Sequence, residues 1–235
     1  QMFLVGFVVV PLAFVVAWKL PESGRFQAAA QARGERRGGV LDASLLHEMF
    51  GPEFRRITIA AIVMFLRFGC AYAGTAFYFP AFFMEVRGYT NAEAAWLVGL
   101  SNGIAVIGYM SAAFVGEYAM TRRNTFVVWC ALGAVALLAL LWLPRERWHD
   151  VALFALTTSF FYGTNAVLGS LITDIYPTRM RGTAYAVCGS APLSIGFATY
   201  PAVVPLVVTA SGWQSALTML VVPMLVISCC AALVL

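Results

Sequence analysis

Residues 57–84 read ITIAAIVMFLRFGCAYAGTAFYFPAFFM, and among these 28 residues Arg67 is the one charged side chain. As a helix rising about 1.5 Å per residue, the stretch is long enough to cross a hydrocarbon core of about 30 Å. Membrane β-strands instead show segments of about 10 residues with alternating polarity. The unbroken apolar run therefore predicts a membrane helix. Six more runs of the same kind flank it: Met2 to Trp18, Ala95 to Gly116, Phe126 to Leu143, Val151 to Ile172, Ala184 to Thr209 and Ser215 to Leu235. The composition agrees, with 61% hydrophobic and 11% charged residues, where a soluble domain carries about 25% charged. The expected fold is all-α, a polytopic membrane protein of seven transmembrane helices.

The first run is not a secretory signal, because no basic residue precedes it and Ala17-Trp18-Lys19 is not a small-residue cleavage site. The chain starts at Gln1 and stops at Leu235 inside an apolar run, so a fragment of a longer protein is expected. Its five cysteines, Cys70, Cys130, Cys188, Cys229 and Cys230, all fall within spans and read as packing residues. No Cys or His pair has metal-ligand spacing, so neither a metal nor a cofactor is expected.

Counting Lys and Arg in alternate loops orients the chain. Loops 19–56, 117–125 and 173–183 carry eleven; loops 85–94, 144–150 and 210–214 carry three, Arg87, Arg145 and Arg147. The first set is assigned to the cytoplasm. The net charge of +4 is accounted for by this asymmetry and implies no nucleic-acid partner. Loop 19–56 is far longer than the others and contains an amphipathic stretch, Leu41 to Phe50, with Leu41, Leu45 and Met49 at helical spacing. It is expected to lie on the inner membrane surface. The organisation reads as a helix at 1–18, a cytoplasmic linker at 19–56, and a six-helix domain at 57–235.

Three cytoplasmic segments carry a resemblance. Leu20 to Phe26 (LPESGRF) resembles the Pro-Glu-Ser-x-Arg-Trp segment after the sixth helix of sugar-porter-type members of the major facilitator superfamily. Asp174 to Gly182 (DIYPTRMRG) is similar to the acidic-x-aromatic-Pro-Thr-x-x-Arg-Gly segment after their tenth helix. Gly116 to Arg123 (GEYAMTRR) resembles their Gly-x-x-x-Asp-Arg-x-Gly-Arg-Arg loop, without its Asp-Arg and second Gly. Order and spacing fit helices six to twelve. The resemblance implies that residues 1–18 are the last helix of an N-terminal half absent from this chain, and that 57–235 form two inverted three-helix repeats whose substrate site faces that half. It also implies a charge network closing the cytoplasmic side, drawn from Asp174, Arg181, Arg122, Arg123, Glu117, Glu22 and Arg25.

Arg67 lies eleven residues, about 16 Å, beyond Arg56, close to the bilayer midplane. A charge there costs about 2.5–3.5 kcal/mol on the insertion scale and calls for a wet cavity or a partner. Asn102, Tyr162 and Asn165 lie at similar depth, and Tyr162 and Asn165, three apart, share a helix face. These four are the candidate substrate-binding residues. Tyr72 and Tyr78 read as packing or interface aromatics. Gly99 and Gly103 are expected to form a GxxxG helix contact, and Pro192, Pro201 and Pro205 to break the sixth span of the domain.

Measured against the sugar porters, Arg67-Phe68 stands at their Gln pair, Ala73 at their Asn and Gly169 at their sugar-stacking Trp. Losing hydroxyl-reading amides while gaining a guanidinium, which binds carboxylates through two parallel hydrogen bonds, favours a small organic anion. Coupling to protons is implied by resemblance to the metabolite:proton and aromatic-acid:proton symporters. With no carboxylate expected inside the spans, the proton carrier is assigned to the absent half. A sugar or polyol transporter is the alternative in the same superfamily, and a seven-helix receptor the alternative in another class. No constellation for catalysis is found. The expected setting is the plasma (inner) membrane, in contact with lipid.

Overall fold

The computed structural model describes residues 43–143 and 146–235. The helix expected at 1–18, the linker up to residue 42, Glu22, Arg25 and Arg145 lie outside the described residues. The described residues from 43 onward form one compact unit, helical and without a strand. Helix α1 is Ala43–Met49, α2 Arg55–Ala76, α3 Phe79–Glu85, α4 Asn91–Tyr118, α5 Arg122–Trp142 and α6 Arg147–Phe161. A 3-10 turn, Tyr162–Thr164, joins α6 to α7, Asn165–Ile175. Then come α8, Arg181–Ala184, a π turn at Tyr185–Ser190, α9, Ala191–Ser211, and α10, Trp213–Ala232. By length and composition these elements supply six membrane-crossing helices: Arg55–Glu85, Asn91–Tyr118, Arg122–Trp142, Arg147–Ile175, Arg181–Ser211 and Trp213–Ala232.

The helices outrun the apolar stretches by a few residues because polar caps lie just outside them. Thr90 accepts from the Glu93 amide while Glu93 reaches back to the Thr90 amide, a capping box that starts α4 four residues before Ala95. The Thr121 hydroxyl caps α5 through the Asn124 amide. Gly212, at φ +76°, makes the turn between α9 and α10 in a region closed to most L-residues.

Two spans are interrupted where the sequence withholds a backbone donor. Pro80 opens α3 after the Phe77-Tyr78 turn, where its missing N–H is harmless. The π turn ends at Ser190, two residues before Pro192 in the first turn of α9. Pro201 and Pro205, expected to break this span, do not: α9 runs through both. Pro205 leaves the Pro201 carbonyl without its helical donor, and the Tyr78 hydroxyl donates to that carbonyl instead.

The interior is aromatic, with Phe65, Phe68, Phe79, Phe82, Phe83, Phe126, Phe154 and Phe161 all essentially inaccessible. Lipid gives no hydrophobic drive for helix association, so close backbone approach supplies dispersion contact. A Cβ on Gly108 of α4 would come within 2.2 Å of the Ser159 carbonyl oxygen, and one on Gly133 of α5 within 2.7 Å of the Phe161 backbone. The GxxxG pair expected at Gly99 and Gly103 makes no such contact, since both face open space. Coverage is uneven: the apolar stretch of the first span is 61% buried, that of α4 22%, and that of the Arg181–Ser211 span 17%. The last two therefore present open faces.

Helix α1 is not a free surface helix. Met49 is fully buried and Leu45 packs against the core. The Thr58 hydroxyl donates to the Met49 carbonyl at 2.7 Å. Its proton being used there, Thr58 accepts from the Tyr176 hydroxyl at 2.8 Å. Burial raises the Tyr176 pKa well above its ordinary value and keeps that donor proton in place. One short chain of hydroxyls thus ties the linker helix to the start of α2 and the end of α7.

Candidate functional site

Helix α2 presents different faces to different neighbours. Arg67 is half-buried, and its Nη1 donates to the Met224 sulfur of α10 at 3.5 Å, a weak acceptor for a guanidinium. Among the described residues it forms no ion pair. Tyr72, five residues on, lies about 140° around the helix. Its ring sits 4.4 Å from that of Tyr162 and 5.5 Å from that of Phe197. Tyr109 of α4 adjoins it. One aromatic from each of four spans therefore meets on the flank of α2 away from Arg67.

The four candidate substrate residues have different partners among the described residues. Tyr162 is buried, and its hydroxyl donates to Thr75 Oγ1 at 3.1 Å. Asn165 Nδ2 donates to the Tyr162 carbonyl at 2.9 Å, serving a backbone acceptor at the 3-10 turn between α6 and α7. Asn102 is exposed on α4, beside the open Gly99 and Gly103. Tyr162 and Asn165 are joined by the Nδ2–carbonyl bond, whereas Arg67 bonds to Met224 on another helix.

Sequence reasoning missed Tyr109, Phe197 and Tyr185. An aromatic in a membrane run has the same local signature whether it faces lipid, core or cavity. Gly169, where the sugar porters carry Trp, lies against the Tyr185 ring, with a Cβ there reaching 3.4 Å from Cε2. The π turn thus brings an aromatic surface back over that glycine.

At the end of the bundle that loop charge assigns to the cytoplasm, Arg122 bridges Glu117, at 2.6 Å, and Asp174. Both acids are more than half exposed and the arginine 27% exposed. Three of the expected network residues therefore meet at the inner ends of α4, α5 and α7. Arg181 does not join them, its Nε donating to the Tyr176 carbonyl at 3.2 Å. Among the described residues Arg123 reaches only Asn124, at 3.5 Å. Glu48 of α1 pairs with Arg179, a contact that local sequence did not suggest.

The outer side contradicts one expectation. Asp150, read as a loop residue, lies in the first turn of α6 and is only 3% exposed, so a buried carboxylate does occur in the spans. It pairs with Arg87 Nε at 3.4 Å, both side chains being almost fully enclosed, and accepts from the Tyr89 hydroxyl at 3.0 Å. Arg87 also donates to the Leu140 and Leu143 carbonyls at the end of α5. Burial, and then the hydrogen bond to Asp150, push the Tyr89 pKa up to about 12. The cluster joins the outer ends of three spans.

Among the described residues no group of His, Cys, Asp or Glu is arranged to hold a metal ion. The described residues form a helix bundle with a buried ionic cluster at one end, an exposed one at the other, and in Arg67 a half-buried cation that has no ion pair among the described residues. No curated protein matches the chain. A family profile, Major Facilitator Superfamily, matches residues 2–191, most of the chain. The chain belongs to the major facilitator superfamily of membrane transporters.

Proposed function

We propose that this transporter moves a small organic anion by alternating access, coupled to protons, across the plasma membrane. The observation that carries the charge preference is Arg67: a half-buried guanidinium at mid-depth whose partner among the described residues is a thioether. Leaving a cation so placed costs about 2.5–3.5 kcal/mol even on the lenient scale, and a cargo carboxylate would offset that through paired hydrogen bonds. The open faces of α4 and the Arg181–Ser211 span support assigning residues 57–235 to one half of the transporter, with residues 1–18 the last helix of the other. Rocking of one half on the other would break and remake the Glu117–Arg122–Asp174 cluster. Asp150 is engaged by Arg87 and Tyr89, so the proton carrier is assigned to the covering half.

A second reading has one observation in its favour. The hydroxyl-bearing rings of the half-buried Tyr72 and Tyr109 converge away from Arg67, backed by the buried Tyr162, a surface suited to stacking and hydroxyl recognition by a sugar or polyol. Family membership sets the receptor reading aside.

Uptake by the full-length protein in proteoliposomes separates the two. For an anion carrier, Arg67→Gln abolishes uptake of carboxylates and Arg67→Lys retains part of it, whereas Tyr72→Ala has the larger effect for a polyol carrier. Unchanged carboxylate uptake in Arg67→Gln refutes the anion reading. Uptake indifferent to an imposed pH gradient refutes proton coupling.

A further inference from the structure

A groove of roughly 450 Å³ runs between α2 and α10 on the cytoplasmic half of the domain. Arg56, Ile59 and Val63 line it from α2, and Ile227, Cys230 and Val234 from α10. Each set is spaced i, i+3, i+7, so each is a continuous stripe along one helix face. From Arg56 to Val63 the groove climbs about 10 Å toward the midplane. Its lining is apolar except at the mouth, where Arg56 stands. Arg56 and its neighbour Arg55 are exposed and form no ion pair among the described residues.

We propose that this groove binds a phospholipid of the cytoplasmic leaflet with an anionic headgroup, its phosphate on Arg56 and one acyl chain along the two stripes. Charge complementarity selects this occupant. A zwitterionic lipid fills the trough but leaves the arginine charge uncompensated, while a free phosphate meets the arginine and leaves the trough empty. An anionic amphiphile uses both. The loop charge asymmetry puts the mouth in the leaflet where anionic lipids attract basic residues next to a span. The first turn of α2 contains no acidic residue and no side-chain cap, so the positive helix end adds to the field of the arginine pair. The basic segment 19–42 is a poor occupant for the same electrostatic reason. The inference is independent of the cargo.

The test uses the full chain in phosphatidylcholine vesicles containing a minor fraction of phosphatidylglycerol, with a reporter, Ile227→Trp, in the groove. The added fluorescence is recorded with bromine on the chains of one lipid or the other. Phosphatidylglycerol is expected to be enriched at the reporter by roughly fivefold over the bulk composition, the factor equivalent to one lysine or arginine contact at the membrane surface. Adding Arg56→Gln should bring the enrichment to about one, while Arg56→Lys and a control, Arg123→Gln, preserve it. Circular dichroism on each variant establishes that it is folded. Enrichment that survives Arg56→Gln overturns the proposal. So does a reporter untouched by either brominated lipid, which would mean that protein, as segment 19–42 or a second copy, fills the groove.

Discussion

The two ends of the helix bundle both carry arginine–carboxylate clusters, and they are built for opposite tasks. At the outer end, Arg87 and Asp150 are 3% and 4% exposed, hold each other, and are held by Tyr89 and by carbonyls at the end of α5. At the opposite end, assigned by loop charge to the cytoplasm, Arg122 shares itself between Glu117 and Asp174, both more than half exposed. A buried pair is costly to break because each ion is stranded away from water, whereas an exposed pair exchanges its partner for water at little cost. The outer cluster is a staple within this domain; the inner one is a contact that can open and close at modest cost.

The largest effect should come from the staple. Asp150→Ala leaves Arg87 buried without its counter-ion and is expected to cost about 3–5 kcal/mol of stability, read by thermal unfolding in detergent. Removing Arg87 as well should return part of that loss. A cost below about 1 kcal/mol, the exposed-pair range, would erase the distinction between the ends.

Thr58→Val probes a buried element on the otherwise exposed cytoplasmic side. It strands the Met49 carbonyl and leaves the Tyr176 hydroxyl the weaker Cys188 sulfur at 3.8 Å, for an expected loss of about 1–3 kcal/mol in the same assay. Arg122→Gln should cost no more than about 1 kcal/mol. Uptake by the full-length protein should nonetheless fall, and the wild-type stability margin over this variant should shrink as salt is added. A large, salt-insensitive destabilisation would make the inner cluster a second staple.

Tyr89 offers a subtler test at the outer end. The folded state holds its phenolic proton more tightly than the unfolded chain, so its contribution is complete below pH 10 and is lost as pH climbs through about 12. Tyr89→Phe should flatten the stability profile across that window. The smallest effect belongs to the exposed Glu48–Arg179 pair, where Glu48→Gln is expected to shift stability by a few tenths of a kcal/mol at most.

Residues 57–84 already announce a membrane helix, and the same run-length argument yields the other five described spans to within a few residues. The reason is that lipid obliges each crossing segment to satisfy its own backbone, so length and apolarity suffice to find it. Loop charge works the same way, residue by residue. The inner cluster was partly legible, because Glu117, Arg122 and Asp174 sit in short cytoplasmic motifs. Which arginine meets Asp174 was not: Arg122, 52 residues away, takes it, while Arg181, seven away, turns to the Tyr176 carbonyl.

Everything that depends on the direction a side chain faces was decided by tertiary structure. In a soluble helix the apolar stripe marks the core, but these spans are apolar all round, and sequence does not distinguish core, groove and lipid. That is why Gly99 and Gly103 face open space while Gly108 makes the close contact, and why Tyr72 and Arg67, on one helix, point to different flanks. It is also why Asp150 reads as a loop residue: what buries it is Arg87 and Tyr89, brought from another loop 61 to 63 residues away. The sequence by itself determined that the chain crosses the membrane, and where. Only the packing of the helices decided which charges are enclosed, because the partner that permits an ion to be buried is supplied by a distant part of the chain.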